Sequence, residues 1–120
     1  MIFFHGGTFQ EGSGEGPYQL YDGCHVAGGA DVVLVTANYR LGAYGFLVTE
    51  ESRGKYNLGG QQGMYDQKAA MEWVQGNIVN FGGNPNSVTI FGQSAGSMSV
   101  GLHYISPKMF TSGQIGRAHV

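Results

Sequence analysis

Gly92-Gln93-Ser94-Ala95-Gly96 sets a serine between two glycines in the pattern Gly-x-Ser-x-Gly. A serine hydroxyl presented on a tight turn, with a base to take its proton, does acyl transfer through a covalent acyl-serine. In a chain holding 22 glycines the five residues alone are a weak signal, and a plain Gly/Ser turn is the alternative. The flanks strengthen the catalytic reading. Val88-Thr89-Ile90-Phe91 reads as a strand and an apolar helical pattern follows Ser94, which is the strand–turn–helix context of a nucleophile elbow. Side chains at Gly92 or Gly96 would collide with the neighbouring strand and helix. The helix N-terminus beneath Ser94 carries partial positive charge and favours an oxyanion there.

Acyl transfer also needs N–H donors aimed at the developing oxyanion, each contributing about 2.7–4 kcal/mol to the transition state. The N–H of Ala95, just after the nucleophile, is one. A second source is expected in a loop after an earlier strand. His5-Gly6-Gly7-Thr8-Phe9 fits, with Gly6 and Gly7 letting backbone approach substrate and the N–H groups of Gly7 and Thr8 as donors. His5 stands just before the glycines, where it suits holding the loop by hydrogen bonds better than serving as the base. A generic turn is the alternative for Gly6-Gly7.

Positioning these residues requires a sheet. Ile2–Phe4 and Ser87–Phe91 read as short buried strands. The β-branched run Asp31-Val32-Val33-Leu34-Val35-Thr36-Ala37-Asn38 has no polar alternation, as in a parallel sheet covered on both faces. Residues 6–29 read as a Gly-rich loop with a helical turn near Tyr18–Tyr21, and Arg40 to Gly60 as a second loop. A helix is predicted from Gly63 to Phe81, its stripe made of Ala69, Ala70, Trp73, Val74, Ile78 and Phe81, ended by Gly82-Gly83-Asn84-Pro85. Ser94 to Ile105 is a second helix, with Pro107 after it. The strand–helix alternation predicts an α/β fold, a doubly wound and mostly parallel sheet with helices on both faces.

Composition narrows the partners. The chain has 120 residues, net charge −2 and six Lys+Arg with no basic stripe, which argues against nucleic-acid binding. No run of 18 apolar residues is present, so no transmembrane segment is expected in this chain. His25 and His103 lack metal-ligand spacing to Cys or carboxylates; no metal and no cofactor are expected. Cys24 is the only cysteine and is expected to be a small buried thiol. Phe4, Phe9, Tyr39, Tyr44 and Phe46 are core aromatics or the lining of an acyl or alcohol pocket. Arg40 and Asp66 are candidates for a buried salt bridge pinning the loops that frame the site.

Several stretches in order resemble the type-B carboxylesterases, the family of carboxylesterases and cholinesterases. They are His5-Gly6-Gly7-Thr8-Phe9, Tyr21-Asp22-Gly23, Asn38-Tyr39-Arg40-Leu41-Gly42-Ala43-Tyr44-Gly45-Phe46-Leu47, Asn57-Leu58-Gly59, Asp66-Gln67, Trp73-Val74-Gln75, Phe81-Gly82-Gly83-Asn84-Pro85 and Thr89 to Gly96. The resemblance implies an α/β-hydrolase fold and a carboxylic ester hydrolase acting on small-molecule or lipid esters through a Ser–carboxylate–His triad. Both partners of the serine lie far downstream in that family, so this chain holds neither. Residues 1–113 are then part of such a domain. Secretion or the endoplasmic reticulum lumen is the compartment the resemblance implies. Gln93 stands where many members have Glu, and Thr8 where many have Gly; the Thr8 N–H survives that change. Gln114 to Val120 departs from the family and resembles the translation of a sequencing adapter, so residues 114–120 are expected to be a non-native tail, and His119 is not recruited as base. The competing readings are a non-catalytic, cholinesterase-like adhesion module and an inactive truncated product.

Overall fold

The computed structural model describes residues 1–54, 59–106 and the backbone of 117–119. Asn57 and Leu58 of the family-like stretches, Pro107, and residues 114–116 and 120 of the expected tail lie outside the described residues.

The elements run β1 (Ile2–Phe4), α1 (Cys24–Ala30), β2 (Val35–Ala37), α2 (Gly42–Phe46), α3 (Glu50–Gly54), α4 (Gln62–Asn77), β3 (Thr89–Gly92), α5 (Ala95–Ile105) and β4 (Arg117–His119). The four strands form one sheet in the order β2-β1-β3-β4, every pair parallel. Phe4 is in register with Ala37 on one side and Gly92 on the other, so β1 and β3 end side by side. Arg117–His119, inside the stretch expected to be non-native, runs as the strand beside β3.

Strand alternation divides the side chains between two faces. Ile2, Phe4, Ala37, Val88 and Ile90 join Met71, Val74 and Ile78 of the α4 segment and Val100 of α5 in one buried core. Phe3 points the other way, with its ring centroid 4.6 Å from Tyr21 and 5.1 Å from Phe91. Tyr21 and α1 both belong to the β1–β2 connection. Right-handed crossovers carry that connection to the face opposite α4 and α5, because β2 lies on the other side of β1 from β3 and β4.

Three features differ from the sequence reading. The strand expected over Asp31–Asn38 is confined to Val35–Ala37, because α1 ends on Asp31, whose φ of 51° and ψ of 49° make it a left-handed cap. Helices α1, α2 and α3 occupy stretches read as loop. They are seven, five and five residues long, too short for an apolar period to register. The inward stripe of α4 is Met64, Gln67, Met71, Val74 and then Ile78, at spacings of three and four. Trp73 and Phe81 were expected there, but they are 49% and 61% exposed and pack on each other outside, centroids 5.8 Å apart. A buried glutamine hid the true stripe from hydropathy. After Asn77 the helix tightens into a 3₁₀ turn and stops at Gly82, whose N–H donates to Val79 O at 3.1 Å.

Candidate active site

The carboxyl ends of β1 and β3 form the switch point of the sheet, since the chain leaves β1 toward one edge and β3 toward the other. Crevices at such points are where open α/β sheets bind ligands. His5 to Thr8 continue from β1 and Gln93-Ser94 from β3, so the topology brings the expected oxyanion loop and elbow together.

Ser94 is the N-cap of α5, with φ 55° and ψ −119°. Positive φ is uncommon for a residue with a side chain, and such strain costs about 1–3 kcal/mol where the surroundings enforce it. The surroundings here are backbone. A Cβ on Gly96 would land on the Phe4 carbonyl, its carbon 2.7 Å away, and one on Gly92 would lie 2.6 Å from Gly96 O. Gln93 N–H donates to Phe4 O at 3.3 Å, extending the ladder to the foot of the turn. Ala95 opens α5, so its N–H has no acceptor within the helix.

The expected oxyanion loop closes against this turn. A Cβ on Gly6 would sit 2.7 Å from Gln93 O and 2.9 Å from Ser94 Cβ, which measures how nearly the two backbones touch. Gly7, Thr8 and Phe9 then adopt φ of 112°, 54° and 61° in succession. Gly7 O is held by Gln10 N–H at 2.9 Å, Glu11 N–H at 3.0 Å and the Thr8 hydroxyl at 2.7 Å. Among the described residues, no protein acceptor takes the N–H of Gly7 or Thr8.

His5 is buried behind the loop. Its Nδ1 lies 2.7 Å from Gly6 O, a bond in which the ring donates, and the ring stacks on Tyr39 at 4.5 Å. Tyr39 donates its hydroxyl to His5 O at 2.6 Å, and burial pushes its pKa up to about 12, so it stays a donor. Asn38 Oδ1 accepts the Gly14 N–H at 2.8 Å, and Gly42 N–H donates to Phe9 O at 2.6 Å. The segment after β2 thus holds the loop after β1.

The five aromatics divide. Phe4 is in the core, Tyr39 backs His5, and Tyr44 is 86% exposed. Phe9 and Phe46 meet edge to face at 5.1 Å and line an open, mostly apolar cavity of about 590 Å³ with Thr8, Leu47, Met64 and Leu102. Arg40 and Asp66 pair through two bonds, Nε to Oδ2 at 2.7 Å and Nη2 to Oδ1 at 2.8 Å, with Arg40 N–H also on Oδ2 at 2.9 Å. The bridge is not buried as expected, because Arg40 is 51% exposed. It holds the Asp66 carboxyl below its ordinary value and the guanidinium above its own. Cys24 also departs from expectation: it is exposed at the start of α1, its N–H bonded to Asp22 Oδ1 at 3.0 Å. Asp22 raises the thiol pKa.

A polar trio escaped the sequence reading. His103 Nε2–H donates to Gln67 Oε1 at 2.7 Å, Gln67 Nε2 donates to Ser99 Oγ at 3.1 Å, and Ser99 Oγ donates to Ala95 O at 3.0 Å. All three are fully buried, and burial pushes the His103 pKa down to about 4, so the ring is neutral. The one available sign was the spacing of Ser99 and His103, four apart on one helix face. Among the described residues no group of three His, Cys, Asp or Glu side chains is arranged to hold a metal, and no helix is long and apolar enough to cross a membrane.

Residues 1–118 match the Carboxylesterase family, and the chain belongs to it. Acetylcholinesterase of Danio rerio is 49% identical over 107 residues, covering 89% of this chain and 16% of that protein. Bile salt-activated lipase of Homo sapiens is 47% identical over 122 residues, covering 98% and 15%. The crystal structure of a Geobacillus stearothermophilus carboxylesterase superposes with a TM-score of 0.86 at 47% identity, covering 98% of this chain and 25% of that one. The fold is therefore that of the α/β-hydrolases, and the chain spans a quarter or less of the length of these relatives.

Proposed function

We propose that this segment carries the nucleophile and oxyanion hole of a carboxylic ester hydrolase. Ser94 Oγ attacks the ester carbonyl, and the N–H groups of Gly7, Thr8 and Ala95 receive the oxyanion. A histidine from outside these 120 residues takes the serine proton and passes it to the leaving alcohol, while a carboxylate, also from outside them, orients the ring and stabilises the imidazolium. Water then releases the acid from the acyl-enzyme. The observation that supports this reading is the close approach of the Gly6 backbone to Ser94, where an added Cβ would lie 2.9 Å from Ser94 Cβ, in a loop whose next two N–H groups have no protein acceptor among the described residues. His5, Gly92, Gln93 and Gly96 support the geometry and do no chemistry. The apolar cavity beside Thr8 suits the hydrocarbon part of a small-molecule or lipid ester.

A fluorophosphonate probe tests it on the full-length product of the transcript. Covalent labelling on Ser94, abolished in Ser94→Ala, is the expected result. A folded full-length protein that does not label would instead be a non-catalytic adhesion module. The 120-residue chain by itself is expected to show no turnover of a p-nitrophenyl ester, since it supplies no triad base.

A further inference from the structure

The Ala95 N–H shares a peptide plane with the carbonyl of Ser94. That plane is rigid, so the direction of Ser94 O fixes the direction of the N–H on its other side. Two donors converge on Ser94 O. One is Met98 N–H at 3.1 Å, the bond any α-helix makes at this point. The other is the hydroxyl of Ser97 at 2.8 Å, which the helix does not require. A carbonyl that accepts a second hydrogen bond is further polarised, and its N–H becomes a stronger donor in turn, by about 10–30% per bond. Ser99, one position in the buried trio, reaches the next carbonyl, Ala95 O, and so bears on a different peptide.

We propose that Ser97 is a positioning residue for ester hydrolysis: its hydroxyl holds and polarises the Ser94–Ala95 peptide so that the Ala95 N–H meets the developing oxyanion. The proposal rests on Ser94 being the nucleophile. Ser97 touches neither substrate nor the serine hydroxyl; it acts through the peptide. Losing a whole oxyanion donor costs about 10²–10³ in kcat. On a logarithmic scale, a tenth to three tenths of that effect is a loss of about two- to eightfold.

The test uses the full-length esterase carrying this segment, with kcat and KM measured on a p-nitrophenyl ester and Tm on the same preparations. Ser97→Ala is expected to lower kcat about two- to eightfold with KM unchanged. Its Tm should hold or rise, since alanine is the better helix former. Ser97→Thr, which keeps the hydroxyl, should restore kcat. An unchanged kcat in Ser97→Ala overturns the proposal. So does a fall in kcat that tracks a fall in Tm and is not rescued by threonine, which would mark a merely structural bond. Ser94→Ala separates the two levels: if it abolishes turnover, a neutral Ser97→Ala defeats this proposal alone, whereas turnover surviving in Ser94→Ala defeats the nucleophile assignment beneath it.

Discussion

The elbow and the oxyanion loop meet at one point but are built differently. At the elbow a single residue, Ser94, has the unfavourable backbone angles, and what enforces them is main chain against main chain: Gly92 on Gly96, and Gly96 on Phe4. In the oxyanion loop the unusual angles fall on three successive residues, Gly7 to Phe9. They are held by groups that reach in from the segment after β2: the Tyr39 hydroxyl, the Asn38 carboxamide and the Gly42 N–H. A turn enforced by main chain against main chain has no slack, whereas a loop held by single hydrogen bonds can loosen one tie at a time. Damage to the elbow should therefore be all-or-none, and damage to the loop graded.

The largest contrast is between two glycines. Gly96→Ala drives a methyl into the Phe4 carbonyl, inside the sheet where nothing can move, and should cost more than about 4 kcal/mol and abolish soluble protein. Gly7→Ala meets the Glu11 carbonyl just as closely and at a φ of 112° that strains any side chain, but in an exposed loop that can shift. The full-length enzyme should then stay folded by circular dichroism while turnover drops about 10²-fold as a donor is displaced. Equal soluble yields for the two variants would erase the distinction.

Behind the elbow, His103 adds a pH dependence. Its folded pKa of about 4 lies below the ordinary 6.5, so on acidification the unfolded chain binds the proton first. Stability should be full above pH 6.5, fall by roughly 1.4 kcal/mol per unit down to about pH 4, and then level off as far as this group is concerned. Urea titrations across that range should show the slope, and His103→Gln should flatten it. A parallel slope in the variant would assign the effect elsewhere.

On the loop side, Tyr39→Phe deletes the 2.6 Å bond and leaves the buried His5 carbonyl unpaired, at a cost of about 1–3 kcal/mol in denaturant titration. Turnover in the full-length enzyme should fall with it, because the loop that bears Gly7 and Thr8 loses a tie. The smallest effect belongs to Arg40→Ala. Its bridge is two-pronged but half exposed, so about 1 kcal/mol or less is expected at neutral pH. Because the Asp66 pKa is lowered, that contribution is present above the ordinary carboxylate value of 3.8 and is lost as pH falls through the folded one. A penalty that persists well below that value would point away from the ion pair.

The same contrast explains what could be read in the sequence. Gly92 to Gly96 is a contiguous string between a strand and a helix, so the turn could be read from the sequence although Phe4, on a distant strand, helps to enforce it. In the loop after β1 the sequence shows two glycines at a place but not the three successive positive φ angles, in a loop tied by Tyr39 and Asn38, more than 20 residues away. Gln67, Ser99 and His103 are polar residues that only packing of α4 on α5 brings together, and the apolar pattern finds Val74 and Ile78 on the inward face of the α4 segment but puts Trp73 and Phe81 there where Gln67 stands. Helices α1 to α3 are single turns or little more, stabilised by what they lean on and not by any repeat of their own.

Phe4 pairs with Gly92 across most of the length of the chain. A ribosome therefore delivers the oxyanion amides long before the serine, and neither has a counterpart until β3 slides in beside β1. On a chain whose sheet has not closed, the Ser94 turn lacks the Phe4 main chain against which it is packed.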